Sequence, residues 1–282
     1  MKSLLKAVLP VGAQRGLQKG REHLLKASLE AAIAEQGLLE LANELREILP
    51  DIRKQYSSFE VDTPFLETKL RGQHAFQLAL AGPEIASRPK AVVVDIGDSS
   101  GMHTAALKAL YPGERRWLSV NLDKEAVARV RARGFEALEA RAEELGKHGI
   151  DADVFLSFET VEHLPDPINF LHALAAKTRC QRLVLTVPYV RQSRVGLHHL
   201  RANLKKPVTA ETVHLFELSP ADWKLVFRHA GWKLERERTY LQYPRHHPLA
   251  ATRPIWRSWD FEGFYGAVLS RDDAWSSLYA SW

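Results

Sequence analysis

A chain of 282 residues is long enough for one large domain with its own core, or for a domain carrying an appendage. Its 45% hydrophobic and 26% charged content is that of a globular chain and excludes disorder as the default. The single cysteine, Cys180, excludes an internal disulfide and an all-cysteine metal cluster, and the net charge of +5 favours anionic partners without naming one.

In the opening stretch MKSLLKAVLPVGAQ, Lys6 interrupts the apolar run and Pro10 and Arg15 close it, so no secretion signal is expected. Met1 to Lys26 carries six basic residues against Glu22 alone, which suits a solvated face or a helix docking on a membrane surface or a partner. From Leu24 to Ile52 apolar residues recur every three or four positions, predicting an amphipathic helix, or two broken near Gly37, that Pro50 stops. FLETKLRGQHAFQLAL reads as a further helix. Strands are then expected at Ala91–Ile96, Trp117–Leu122, Val154–Phe158 and Arg182–Pro188, with a short one at Phe135–Glu139. Helices are expected near Met102–Leu110, Lys124–Arg133, Pro167–Thr178 and Pro220–Ala230. Such alternation specifies an α/β fold, a mostly parallel sheet covered on both faces. No stretch approaches the ~18 apolar residues of a spanning helix, and a cytoplasmic protein is expected.

In open α/β sheets the turn after the first strand lines the ligand crevice. Here that turn is AVVVDIGDSSGMHTAAL. The dinucleotide fingerprint would need glycine where Ser99 and Met102 stand, so a pyrophosphate cradle is not expected. What remains is an acid at the strand end, Asp95, followed by Gly97, Asp98, Ser99 and Gly101, with glycines that permit close backbone approach.

This turn resembles the first motif of the class I S-adenosylmethionine-dependent methyltransferases, and four more blocks follow in the order of that family, over roughly residues 91–244. The resemblance implies a Rossmann-like, mostly parallel seven-stranded sheet with S-adenosylmethionine as cofactor. In WLSVNLDKEAVARV the family's ribose-binding acid falls on Asn121; Asp123, two residues on and on the same side of an extended strand, is expected to take that role with Asn121 as helper, helix capping being its other reading. In ALEARAEELG, Ala142 and Glu143 match the adenine-contacting loop, with Arg141 where an acid is usual. DADVFLSFETVEHLPDPINFLHAL resembles the fourth strand of the small-molecule branch, which implies Phe158 and Glu159 beside the cofactor and a following Glu-His pair, Glu162 and His163.

His163 is the candidate general base, because an imidazole titrates near neutral pH, with Glu162 orienting it or taking the proton itself; the other reading is that the pair bonds loop backbone. Glu159, Glu162 and His163 are also a conceivable ligand set for a divalent ion, as in some related O-methyltransferases, but without a second acidic cluster no metal is assigned. Beyond the fifth strand, an insertion near residues 189–215 occupies the family's acceptor-binding position. Its Arg191, Arg194, His198, His199, Arg201 and His214 are the candidate acceptor contacts, with arginines suited to an anionic group, unless they form a solvated basic loop. The aromatic tail from Trp256 to Trp282 reads as core or interface, or as a stacking wall for a ring.

The expected organisation is thus an N-terminal helical extension over residues 1–70 and a methyltransferase domain over 71–282. The expected reaction is methyl transfer to oxygen or nitrogen of a small-molecule or glycan-type acceptor. A SAM-binding scaffold without turnover, and a nucleic-acid methyltransferase suggested only by the basic charge balance, are the alternatives; with no RNA-binding module in the sequence, no nucleic acid is expected. Self-association through the N-terminal helices and peripheral membrane contact through the basic N-terminus stay open.

Overall fold

Continuous apolar runs without alternation need cover on both faces, and three strands here have it. In the computed structural model, which describes residues 11–56, 60–196, 213–258, 262–272 and 274, β1 (Val92–Ile96), β4 (Val154–Phe158) and β5 (Arg182–Pro188) are buried almost throughout. With β2 (Arg116–Asn121) and β3 (Glu136–Glu139) they form a parallel array in which Val94 of β1 lies between Leu118 and Phe155. Two short strands, β6 (Arg194–Val195) and β7 (Phe216–Glu217), pair separately; β8 (Trp232–Leu241) and the antiparallel β9 (Gly263–Arg271) complete the main sheet in the order β3-β2-β1-β4-β5-β9-β8. The order reverses between β1 and β4, which opens a crevice at their carboxyl ends.

Helices cover both faces. On one side lie α1 (Val11–Glu35), α2 (Leu39–Ile48), α3 (Pro64–Ala86) and α4 (Met102–Leu110); the chain turns at Gly37, as the sequence suggests, but α1 reaches back into the basic stretch. After α5 (Lys124–Ala132), α6 (Pro167–Lys177) and α7 (Pro220–His229) cover the opposite face, where Phe170 and Trp223 meet Phe155 and Leu183.

The N-terminal helices are part of the core. Leu38, Leu45 and Ile52 share one buried cluster with Phe76 of α3 and with Val93 and Leu156 of the sheet. The expected boundary at residue 70 falls inside α3, whose close packing on the sheet uses Gly266: a β-carbon there would stand 2.7 Å from Leu80 and 2.9 Å from Phe76. Near the C-terminus, Trp256 in the short helix α8 (Arg253–Ser258) packs with Leu25 and Leu29 of α1, while Phe264 and Tyr265 lie in the sheet. These three aromatics take the core reading; Trp259, Phe261, Trp275, Tyr279 and Trp282 lie outside the described residues. Among the described residues no helix is long and apolar enough to cross a membrane.

Candidate active site

β1 ends at Ile96 and the chain turns through Gly97 at φ 95°, a backbone that side chains disfavour. Asp98 stitches the turn together from beneath: its buried carboxylate accepts from Gly101 N at 3.0 Å and from Ser119 Oγ at 3.3 Å. Asn121, at the end of β2, donates to Asp98 O at 3.4 Å and accepts from Asp123 N at 2.9 Å. Across the crevice, Thr160 Oγ1 donates to Ile96 O and Phe158 O, at 3.0 and 3.1 Å, tying the ends of β1 and β4.

Between them is a cavity of about 350 Å³, the lower part of the range for small-ligand sites. Of the residues expected at the cofactor, Gly97, Ser99, Asn121, Ala142, Glu143 and Glu159 line it. Glu159 reaches it through a left-handed backbone (φ 51°), a conformation that costs a non-glycine residue of order 1–3 kcal/mol and marks functional sites. His163 and His214 line the same cavity. So do Tyr56, from the loop after α2, and Lys69 and Gln73 of α3, which were missed in the sequence because they precede the recognisable motifs and reach the site only through the tertiary packing.

Other expectations are corrected. Asp123 does not line the cavity; it is the N-cap of α5, accepting from Glu125 N at 3.0 Å, because β2 stops at Asn121 and the two-residue alternation of a strand ends with it. Asp123→Ala should therefore cost about 0.5–2 kcal/mol of stability and leave cofactor affinity unchanged, whereas Asn121→Ala should weaken cofactor binding; calorimetry and denaturant unfolding on both variants check this. Gly101 caps α4, and a β-carbon on it would face Arg133 and Phe135, 3.4 Å from each, away from the cavity. Asp95, Asp98, Phe158 and Glu162 lie behind the lining rather than in it. Arg191 pairs with Glu262 at 3.0 Å and Arg194 with Glu217, so neither offers its charge to the cavity; His198, His199 and Arg201 lie outside the described residues.

Under the turn, Asp95 is buried with His103 Nδ1 at 3.4 Å, an ion-pair distance. Burial, then the charge of Asp98, raises the Asp95 carboxyl from 3.8 to about 6 against the pull of His103. Burial alone would lower His103, but the carboxylates of Asp95, Asp98 and Glu159 more than reverse it. A carboxyl raised on folding stabilises the fold fully below about pH 4 and loses that contribution as pH rises through about 6. Asp95→Asn should thus gain on the wild type by up to about 3 kcal/mol between those pH values in denaturant unfolding.

At the cavity, burial raises Glu159 to about 8, opposed by Thr186 and Lys69, and burial lowers Lys69 to about 8, opposed by Glu159. Glu162 is fully buried with neither carboxyl oxygen hydrogen-bonded, and burial followed by the charges of Glu159 and Glu217 holds it well above the usual carboxyl range. His163 Nδ1 lies 2.8 Å from Val213 O. A carbonyl only accepts, so Nδ1 carries the hydrogen and the neutral ring keeps its lone pair on Nε2.

A sheet of this order with its crevice at the β1–β4 reversal defines the class I methyltransferase fold. Residues 94–179 match the family model described as a methyltransferase domain, which lies within this fold. Among solved structures it is similar to magnesium protoporphyrin IX methyltransferase from Synechocystis PCC 6803 with bound SAH (TM-score 0.52, 13% identity, 85% of this chain and 99% of that one). It is also similar to the O-methyltransferase of a trans-AT PKS multienzyme of Brevibacillus brevis in complex with S-adenosyl-L-homocysteine (TM-score 0.51, 12% identity, 73% and 74%). At these identities the likeness is one of fold. No curated protein matches the chain.

The residues present fit the cofactor. Gly97 forms a wall where a β-carbon would stand 2.2 Å from Thr160 Oγ1, and Glu159, which lines the cavity, has a buried carboxyl oxygen, Oε1, without a hydrogen-bond partner, an acceptor suited to a cationic ligand.

Proposed function

We propose that this protein transfers the methyl group of S-adenosylmethionine to an oxygen or nitrogen of a small-molecule or glycan-type acceptor. The supporting observation is a single cavity that runs from Gly97, Asn121 and Ala142 on the donor side to His163, His214 and Tyr56 on the other. The cofactor supplies a methyl group already activated by its sulfonium, so the chain's task is alignment and removal of the acceptor's proton. Alignment contributes roughly 7–11 kcal/mol and a base about a hundred- to ten-thousand-fold. Gly97 and Asn121 position the donor, Tyr56 and Lys69 close the cavity above, and the His163 ring, fixed by Val213, presents a lone pair toward an acceptor hydroxyl or ammonium. An anionic acceptor draws no support from Arg191 or Arg194, each already matched by a carboxylate.

Titration calorimetry with S-adenosyl-L-homocysteine, followed by mass detection of methylated product over a panel of hydroxyl and amine acceptors, tests this. Binding with turnover on any acceptor is the expected result. Binding without turnover on the whole panel favours the scaffold reading. Absence of binding overturns the proposal.

A further inference from the structure

At the acceptor end of the cavity, two imidazoles and one carboxylate converge. One ligand atom each from Glu162, His163 and His214 lies within 4.8 Å of the others, and His163 Nε2 is 4.0 Å from Glu162 Oε1. Two donors sharing one ion at about 2.0–2.2 Å stand at most about 4.2 Å apart, so small rotamer adjustments close the set. The outer bonds of the rings already have the form seen around bound metals. His163 Nδ1 donates to Val213 O at 2.8 Å and His214 Nδ1 to Glu217 Oε1 at 2.9 Å, which leaves Nε2 as the ligating nitrogen of each ring. Glu217 is itself held by Arg194. Leu215 N donates to Glu162 O at 2.7 Å and β7 pairs with β6, which clamps the His214 segment against the Val161–His163 turn.

Glu162 gives the independent sign. It is fully buried, and neither carboxyl oxygen has a hydrogen-bond partner, although a buried carboxyl without partners is costly. A cation between it and the two rings would satisfy both oxygens.

We propose that Glu162, His163 and His214 bind a divalent first-row transition-metal ion, Zn²⁺ or Mn²⁺ by donor class, facing the methyl-donor cavity. Two imidazoles with one carboxylate suit such ions better than Mg²⁺ or Ca²⁺, which take oxygen donors. The role of the ion rests on the methyl-transfer reading: it would hold an acceptor hydroxyl and lower its pKa. The carbon–sulfur bond then breaks as the carbon–oxygen bond forms, the electron pair returns to sulfur, and the hydroxyl proton leaves to solvent. His163 and His214 serve in that case as ligands, and His163 ceases to be the base.

The test is titration of the chelator-stripped full chain with Zn²⁺, Mn²⁺ and Mg²⁺, with S-adenosyl-L-homocysteine affinity measured in parallel. One site is expected, stronger for Zn²⁺ or Mn²⁺ than for Mg²⁺. Glu162→Gln and His214→Ala should weaken it more than tenfold, and Glu217→Gln by about ten- to a hundredfold. No site in the wild type, a Mg²⁺ preference, or undiminished affinity in folded Glu162→Gln and His214→Ala overturns the proposal. If these two variants fail to fold, X-ray absorption of the Zn²⁺-loaded wild type decides: two imidazoles support the site and none overturns it. Intact S-adenosyl-L-homocysteine binding without a metal site fails this inference alone, whereas a metal site without S-adenosyl-L-homocysteine binding fails the methyl-transfer reading alone.

Discussion

Gly97→Val should abolish measurable S-adenosyl-L-homocysteine binding, a loss of more than about a hundredfold, while the chain still folds. The backbone there has φ 95°, and the first added carbon would lie 2.2 Å from Thr160 Oγ1 and 3.3 Å from its Cβ and Cγ2. Thr160 has little room to yield, since its hydroxyl is bonded to the carbonyls that end β1 and β4. The turn must therefore move, and the cavity wall with it. Forcing a β-branched residue into this backbone costs about 1–3 kcal/mol of stability, less than a domain of this size usually has. Calorimetry on the folded variant, with circular dichroism as the folding control, is the measurement; near wild-type affinity would remove the turn from the cofactor site. Gly101→Val is the contrasting case, with its cost in folding rather than in affinity, because its side chain would face Arg133 and Phe135.

Phe76→Ala should be the more damaging change to the fold, lowering stability by about 3–5 kcal/mol and the melting temperature by on the order of 10 °C. Phe76 is fully buried, stacks on Tyr240 with ring centroids 5.7 Å apart, and presses α3 against the bare backbone of Gly266. The same helix carries Lys69 and Gln73 into the cavity, so loosening it should also weaken cofactor binding at temperatures where the variant remains folded. A stability change below about 1 kcal/mol would show that the packing of α3 on the sheet is not part of what holds the fold together.

How far the sequence led can be followed at particular residues. Val92–Ile96 and Val154–Phe158 were legible because a buried parallel strand needs an unbroken apolar run, a property of the segment itself. The turn after β1 was legible for the same kind of reason, since small residues at a strand end leave few other roles. Gly97, Asn121, Ala142 and Glu143 could accordingly be placed at the crevice before any coordinates. Asp123 went astray at the one point where the local rule, alternation along a strand, depended on where the strand stopped.

By itself, then, the sequence determined the alternation of strands and helices, the small-residue turn after β1 and the class of fold, because periodicity and backbone permissiveness act over a few neighbouring residues. Only the tertiary structure decided which charges remain available and which side chains meet. Arg191 and Arg194 find their carboxylates at Glu262 and Glu217, His214 comes beside His163 across the insertion, and α3 brings Lys69 and Gln73, with Tyr56 from the loop before it, to a site built from the rest of the chain. Pairing and desolvation depend on distance in space, and no pattern along the chain encodes the distance between segments that the sheet brings together.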